Sequence, residues 1–347
     1  LPMLAGFSYN EIDASIYMVL AFIAFVAGTL LTLRQPKNKQ LFTKEGFVTV
    51  ALGWIVLSMY GALPFVLTGD IPSYVDALFE TISGFTTTGA SILSDVEALS
   101  HTNLFWRSFT HWIGGMGVFV FILAILPMIG GSTMYLMKAE SPGPSVDKFV
   151  PRVKDTAKIL YTLYIGITLL QIVCLLLAGM PLFDTLTHTF GTVGTGGFGI
   201  KNSSIGGYTS LQQNIITFFM IASGVNYSAY FYIISKNFKD AFKMEEVRWY
   251  FGIILASVFI ITLNTWHLYT GFGETVKHSF FQVASIITTT GYSTTDFDLW
   301  PELSKTILVL LMVIGACAGS TGGGFKVSRI LILMKTIKKE LSLMLHP

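Results

Sequence analysis

The sequence predicts an all-α integral membrane protein built from repeated modules, each made of a long helix, a short helix, a loop and a second long helix. Two observations predict this fold class. Of the 347 residues, 52% are hydrophobic and only 12% are charged, whereas soluble domains carry about 25% charged residues. In addition, a stretch rich in Thr and Gly occurs three times between apolar runs that are long enough to cross a bilayer as helices.

The three copies of this stretch are similar in sequence and in surroundings. They are Ile82–Ser91, Phe190–Ile200 and Ile286–Thr295, and they align on Gly89, Gly197 and Gly291. The copies are about 100 residues apart, which is too long for the unit of a solenoid. Such a spacing is typical of duplicated membrane modules, whose symmetry is often weak in sequence.

The remaining elements follow from the apolar runs in chain order. Spanning helices are predicted at Ile16–Leu33, Phe47–Leu67, Leu104–Pro127, Ile159–Ala178, Leu211–Ile234, Tyr250–Tyr269 and Thr306–Leu333. A helix too short to cross precedes each Thr/Gly stretch, at Ser73–Ser83, Leu182–Phe190 and Glu274–Ile287. The predicted divisions are an N-terminal helix and loop (1–45) and three modules (46–148, 149–243 and 244–347).

Basic residues predict the orientation of the chain in the membrane. They fill alternate connections, at 34–46, 138–158, 236–248 and 326–339. Lys- and Arg-rich connections face the cytoplasm, so the three Thr/Gly loops are predicted to lie towards the outer face. Two of these connections, 138–158 and 236–248, would attract either lipid headgroups or a cytoplasmic partner.

A loop at membrane depth leaves backbone carbonyls unpaired, which is tolerated only inside protein or along a water-filled path. Glycine permits close backbone approach, and threonine adds hydroxyl oxygens without charge. Rings of such oxygens can replace the hydration shell of a monovalent cation. The loops contain no Asp or Glu, which disfavours a divalent cation. We therefore expect the modules to surround a pseudo-symmetric ion pore.

Four motifs together resemble those of the Trk/Ktr/HKT superfamily of potassium transporters, most closely its bacterial TrkH-type subunits. They are Thr86–Ala90, Gly194–Phe198, Thr288–Tyr292 and Gly319–Gly324. The resemblance implies a potassium-selective uptake subunit of the bacterial inner membrane that has no cofactor and binds a potassium ion. It also implies a homodimer and a cytoplasmic nucleotide-binding regulatory subunit. The superfamily has four modules, so the three present here predict an incompletely represented protein.

The resemblance and the loop chemistry assign candidate residues to three roles. The potassium-binding filter is predicted to contain Thr87, Thr88, Gly89, Thr195, Gly196, Gly197, Thr289, Thr290 and Gly291. The pore helices carry Glu80, His188 and Gln282 at equivalent positions, and we expect these side chains to support the loops by hydrogen bonds. The gate is predicted to contain Gly315, Gly319, Ser320, Thr321, Gly322, Gly323 and Gly324.

The gate assignment depends on composition, since residues 315–324 include five Gly and two Ala. Each Gly costs a helix about 1 kcal/mol relative to Ala, so a break is expected. Close packing of small residues is the alternative reading. A phosphate loop is disfavoured because the G-x-x-x-x-G-K-[ST] spacing is absent.

Other residues are assigned structural roles. Arg107 and His111 are interpreted as interfacial anchors, and Asn226 as the donor or acceptor of an interhelical hydrogen bond within a span.

A secondary transporter for a small solute is the alternative function. The sequence shows no catalytic set that indicates an enzyme, no metal-ligand motif that indicates a cofactor, and a net charge of +2 that indicates no nucleic-acid partner.

Overall fold

The structure is a computed structural model that describes residues 1–33, 43–117 and 153–345. All regular structure within these residues is helical, with fifteen α-helices and two 3-10 turns. The predicted all-α class is therefore confirmed. The basic connections at 34–46 and 138–158 and the end of the predicted span Leu104–Pro127 lie largely outside the described residues.

The helices are given by predicted module, and six of them lie in the predicted N-terminal part and first module. They are α1 Pro2–Ser8, α2 Ala14–Thr32, α3 Thr43–Gly61, α4 Leu63–Thr68, α5 Tyr74–Phe85 and α6 His101–Met116. The predicted second span is thus divided into α3 and α4, with Pro64 in the first turn of α4, where its missing N–H costs least. The short helix α5 begins at Ser73, whose hydroxyl accepts a hydrogen bond from the Asp76 N–H.

The second module contains five helices. They are α7 Val153–Leu177, α8 Leu182–Val193, α9 Ser210–Gly224, α10 Tyr227–Ile234 and α11 Phe238–Lys243. The prediction of one continuous span at Leu211–Ile234 was wrong, because the helix breaks at Val225 and Asn226. Val225 is extended, and the Asn226 side chain accepts from the Ser228 N–H at 2.8 Å, which caps a new helix.

The third module contains α12 Glu245–Thr265, a turn at Trp266–Leu268, α13 Phe272–Ile287, a turn at Phe297–Leu299, α14 Glu302–Ile314 and α15 Val327–Leu345. The predicted interruption of the last apolar run is confirmed, since residues 315–326 are not helical. Gly315, Gly319 and Gly324 have φ values of +73°, +68° and +84°, which a right-handed helix does not contain.

Among the described residues, large apolar side chains cover much of the surface, and polar side chains are buried in the interior together with apolar ones. Four described helical stretches are long and apolar enough to cross a membrane, namely Ala14–Thr32, Lys44–Thr68, Lys158–Leu177 and Glu245–Leu268. Large apolar side chains on α2 such as Phe25 and Leu31 are more than 70% exposed, whereas charged and amide side chains such as Arg107 and Gln282 are buried. Apolar surface on this scale indicates contact with lipid.

Candidate ion path

The three Thr/Gly loops begin with the same turn at the end of a short helix. In the first loop, the Thr88 N–H donates to the Ser83 carbonyl at 2.9 Å and the Thr87 N–H donates to the Gly84 carbonyl at 3.1 Å. These are the two bonds of a Schellman motif, which ends a helix. The corresponding pairs in the other loops are Gly196–Gly191, Thr195–Thr192, Thr290–Ser285 and Thr289–Ile286, at 2.9 to 3.1 Å.

The backbone of each loop is left-handed at two positions. Thr87, Thr195 and Thr289 have φ values of +54°, +53° and +57°, and the glycines two residues later have +74°, +80° and +88°. A β-branched residue at positive φ is a genuine outlier and costs about 1–3 kcal/mol. A glycine at these three positions would avoid this cost. The occurrence of threonine in all three loops therefore indicates that its hydroxyl group has a function.

The three loops meet at one place in the molecule. A Cβ atom added to Gly89 would lie 2.1 Å from the Gly196 carbonyl oxygen and 3.8 Å from that of Thr290. A Cβ added to Gly197 would lie 1.8 Å from the Thr290 oxygen. At Gly291, by contrast, an added Cβ meets no described atom within 4 Å. Each of the first two loops thus abuts the next one, and glycine permits that approach.

Two of the three equivalent side chains on the short helices bond the far end of their own loop, and the third bonds a residue beyond it. Glu80 accepts from the Ser91 hydroxyl and the Ile92 N–H, both at 3.0 Å. Gln282 donates to the Thr295 carbonyl at 3.1 Å. His188 Nε2 lies 2.9 Å from the Tyr208 hydroxyl, beyond the second loop. The first and third loops are therefore bonded at both ends, by the helix turn and by the Glu80 and Gln282 side chains.

Two residues of α6 lie elsewhere than predicted. Arg107 and His111 are 3% and 0% exposed, so their interpretation as interfacial anchors was wrong. Arg107 forms an ion pair with Glu80, and the His111 ring stacks on Phe198 with 4.1 Å between centroids. A buried arginine is stable inside the protein only with such a partner, and no residue near Arg107 in the sequence indicates that the partner is Glu80.

The closing helices end against the neighbouring loop. At the end of α6, a Cβ on Gly115 would lie 2.6 Å from Gly194 Cα. At the end of α9, a Cβ on Gly224 would lie 2.4 Å from the Tyr250 hydroxyl and 2.9 Å from Thr288 Cγ2. Small residues at these ends therefore let one module approach the next.

The glycine-rich segment 315–324 lies directly against the start of the third loop. The Gly323 N–H donates to the Thr289 hydroxyl at 2.7 Å, and a Cβ on Gly322 would lie 3.0 Å from the Thr288 carbonyl oxygen. The hydroxyl of Thr321 donates to the Ser223 carbonyl at 3.2 Å, and that of Ser320 to the Cys317 carbonyl at 2.6 Å. The segment is thus held by hydrogen bonds on both of its sides.

One charged residue that holds this segment was not found from the sequence. Glu246, at the start of α12, accepts from the backbone N–H groups of Ala318 at 2.6 Å and Ser328 at 3.1 Å. Its second oxygen accepts from the Asn226 side chain at 3.4 Å, which is the interhelical bond expected for Asn226. Glu246 appears in the sequence as one of two consecutive acids beside a basic connection, so no pattern distinguishes it.

Comparison with known proteins finds similar sequences and a similar structure. A family model described as the cation transport protein TrkH matches residues 14–347. The potassium uptake proteins TrkH of Salmonella typhimurium and TrkG of Escherichia coli are 39% and 35% identical to the whole chain, which covers 73% of each. The crystal structure of the potassium transporter TrkH from Vibrio parahaemolyticus superposes with a TM-score of 0.85 at 32% identity, over 100% of this chain and 72% of that one.

Proposed function

Since the chain belongs to the TrkH family of cation transport proteins, we propose that this multi-pass membrane protein carries potassium ions across the bacterial inner membrane. The observation that carries the proposal is the convergence of three Thr/Gly loops, with the Gly196 and Thr290 carbonyl oxygens both within 4 Å of the Cβ position of Gly89. The relatives' potassium uptake agrees with a site made of neutral oxygens.

The filter that we propose consists of Thr87, Thr88 and Gly89 in the first loop and their equivalents in the other two, Thr195, Gly196, Gly197, Thr289, Thr290 and Gly291. Backbone and hydroxyl oxygens would replace the hydration shell of potassium. Each loop directly follows the C-terminal end of a short helix, where the helix dipole is negative and favours a cation. The loops therefore attract a cation without a carboxylate, whose charge would hold a divalent ion more firmly.

The gate that we propose is the segment 315–324. It contacts the third loop through the bond from Gly323 to Thr289, and its glycines leave its backbone free to change conformation. Movement of this segment would open the path and would also break the hydrogen bond from Gly323 to the Thr289 hydroxyl. Close packing alone would explain the small residues but not the three positive φ values.

The partners that we propose follow from family membership. They are a second copy of the chain and a cytoplasmic nucleotide-binding subunit, for which the docking surfaces are the basic stretch 236–248 and the stretch 138–158, which lies largely outside the described residues. The alternative function, a secondary transporter for a small solute, has no specific support, since the described loops carry no charged group that would recognise a solute. The divisions 1–45, 46–148, 149–243 and 244–347 remain our proposal for the modules.

The test is potassium-limited growth of a bacterium that lacks its own uptake systems and expresses the complete gene product. Two glycine variants sharpen it, because both positions have positive φ. Gly89→Ala places a Cβ 2.1 Å from the Gly196 oxygen, whereas Gly69→Ala, at φ +83°, meets no described atom within 4 Å. We expect growth with the wild type and with Gly69→Ala, and loss of growth with Gly89→Ala at equal protein levels.

Two results would count against the proposal. If membranes that contain the wild-type protein took up no more potassium than membranes with an empty vector, potassium transport would be refuted. If uptake were restored equally by both variants, the convergence of the loops would not be the ion path.

A further inference from the structure

The face of α6 that carries Arg107 and His111 is buried against the second loop. A filter made of loop oxygens does not by itself explain why an arginine and a histidine lie there. The two residues are four positions apart, so they lie on the same side of the helix. Both contact the second module although they belong to the first. At the same sequence separations from its own loop glycine, the closing helix of the second module carries Ile215 and Phe219. The polar pair is therefore not part of the repeated module.

Arg107 connects the exits of two loops. It pairs with Glu80 through Nε, and Glu80 also bonds Ser91 and Ile92 at the exit of the first loop. Its Nη1 donates to the Gly199 carbonyl at 2.8 Å, at the exit of the second loop. The guanidinium lies 3.6 Å from the centre of the Phe198 ring, which favours a cation. A single buried charge thus fixes the spacing of two loop exits.

His111 supports the second loop at its centre. A Cβ on Gly196 would lie 2.2 Å from the His111 ring, so the ring lies directly behind that residue. The Phe198 N–H points to His111 Nδ1 at 3.4 Å. The carbonyl of Gly196 is the one that abuts Gly89, so the position of His111 decides how near the second loop comes to the first.

A buried Arg–Glu pair adds little to stability when an apolar pair of similar volume could replace it. What such a pair does supply is geometry, because the planar guanidinium donates in fixed directions. We propose that Arg107 and His111 are positioning residues that set the second Thr/Gly loop against the first and thereby determine the preference for potassium over sodium. This inference rests on the proposed potassium path.

The experiment measures potassium and sodium influx separately into vesicles that contain the complete protein. Arg107→Lys keeps the charge, but a lysine offers one nitrogen where the guanidinium bonds Glu80 and Gly199 and stacks on Phe198. The double variant Arg107→Met with Glu80→Gln removes both charges together, so no unpaired charge is left buried. Ser108→Ala is the matched control, since Ser108 is a buried neighbour on α6 whose hydroxyl has no partner among the described residues.

We expect the ratio of potassium to sodium influx to fall by about tenfold in Arg107→Lys and in the double variant, the change that a lost charged hydrogen bond can produce. Ser108→Ala should keep the wild-type ratio. If Arg107→Lys does not accumulate in membranes, Phe198→Leu removes the stacked ring but leaves the ion pair, and its ratio should fall as well.

Three outcomes would contradict the inference or the function on which it rests. Folded variants with wild-type ratios would overturn the positioning role while leaving potassium transport intact. A wild-type protein without potassium influx would instead contradict the proposed function itself. Lower flux of both ions in equal proportion would also overturn the inference, since it would indicate a purely structural support.

Discussion

Gly197→Ala tests the junction between the second and third loops. The substitution adds one methyl group at φ +80°, 1.8 Å from the Thr290 carbonyl oxygen and 2.8 Å from its carbon. Ordinary van der Waals contact begins near 3.4 Å, so the two loops would have to separate by more than an ångström. Because both sides of this contact are backbone, no side-chain rotation can relieve it.

The free-energy cost of the Gly197→Ala substitution has two parts. The left-handed conformation costs an alanine about 1–2 kcal/mol, and forcing a methyl group into a packed site costs about 1–3 kcal/mol more. Only the second part depends on the neighbouring loop. If about 2 kcal/mol of it falls on potassium binding, the apparent affinity for potassium decreases about 30-fold.

The matched control is Gly179→Ala. Gly179 belongs to the same module and has φ +75°, but an added Cβ there meets no described atom within 4 Å. Gly179→Ala therefore has the free-energy cost of a left-handed alanine but makes no close contact with a neighbouring loop. The assay is the concentration dependence of potassium influx in vesicles, with protein quantity measured by immunoblotting.

We expect Gly179→Ala to show reduced thermal stability with an unchanged apparent affinity for potassium, and Gly197→Ala to show a much weaker affinity. An equal apparent affinity in both variants would refute the reasoning, because the clash with Thr290 would then have no effect on the ion.

Three further predictions concern other parts of the chain. Gly291→Ser in the complete protein should lower the ratio of potassium to sodium permeability, because φ +88° is strained for serine and, although the added Cβ meets no described atom within 4 Å, the strain falls on the proposed filter backbone itself; an unchanged ratio in flux measurements would remove Gly291 from the filter. Glu246→Gln weakens the acceptor for the backbone N–H groups of Ala318 in the segment 315–324 and of Ser328 at the start of α15, so resting potassium flux should rise several-fold, and wild-type flux and regulation in assembled protein would argue against a gate there. Burial acts to raise the pKa of Glu11, but hydrogen bonds from Thr102 and His101 outweigh it and lower that pKa. Its stabilisation is therefore present above the unfolded value of about 4.3 and is lost as the pH falls through the folded one. The wild type should melt at a higher temperature than Glu11→Gln at pH 7, with a difference that shrinks on acidification, and a pH-independent difference would contradict this assignment.

The local features of this chain were predictable from its sequence. Apolar runs gave the long helices, since about 20 apolar residues match the bilayer, and the short amphipathic runs gave the three short helices. The Thr/Gly repeats identified the loops because their composition cannot continue a helix. The clustered glycines of 315–324 predicted the break between α14 and α15 for the same reason.

Long-range pairing could be decided only by the tertiary structure. Arg107 looked like an anchor at the membrane surface because nothing near it in sequence could neutralise it, and its partner Glu80 is 27 residues away. The helix break at Val225 and Asn226 was not predicted, because the sequence around it is apolar. The Tyr227 N–H after the break donates to the Gly319 carbonyl, and Gly319 belongs to another predicted module. Glu246 was likewise one acid among several until the fold placed the N–H groups of Ala318 and Ser328 beside it. A sequence determines where a helix can form, through local composition, whereas the position of a buried charge depends on partners that only folding brings within hydrogen-bonding distance.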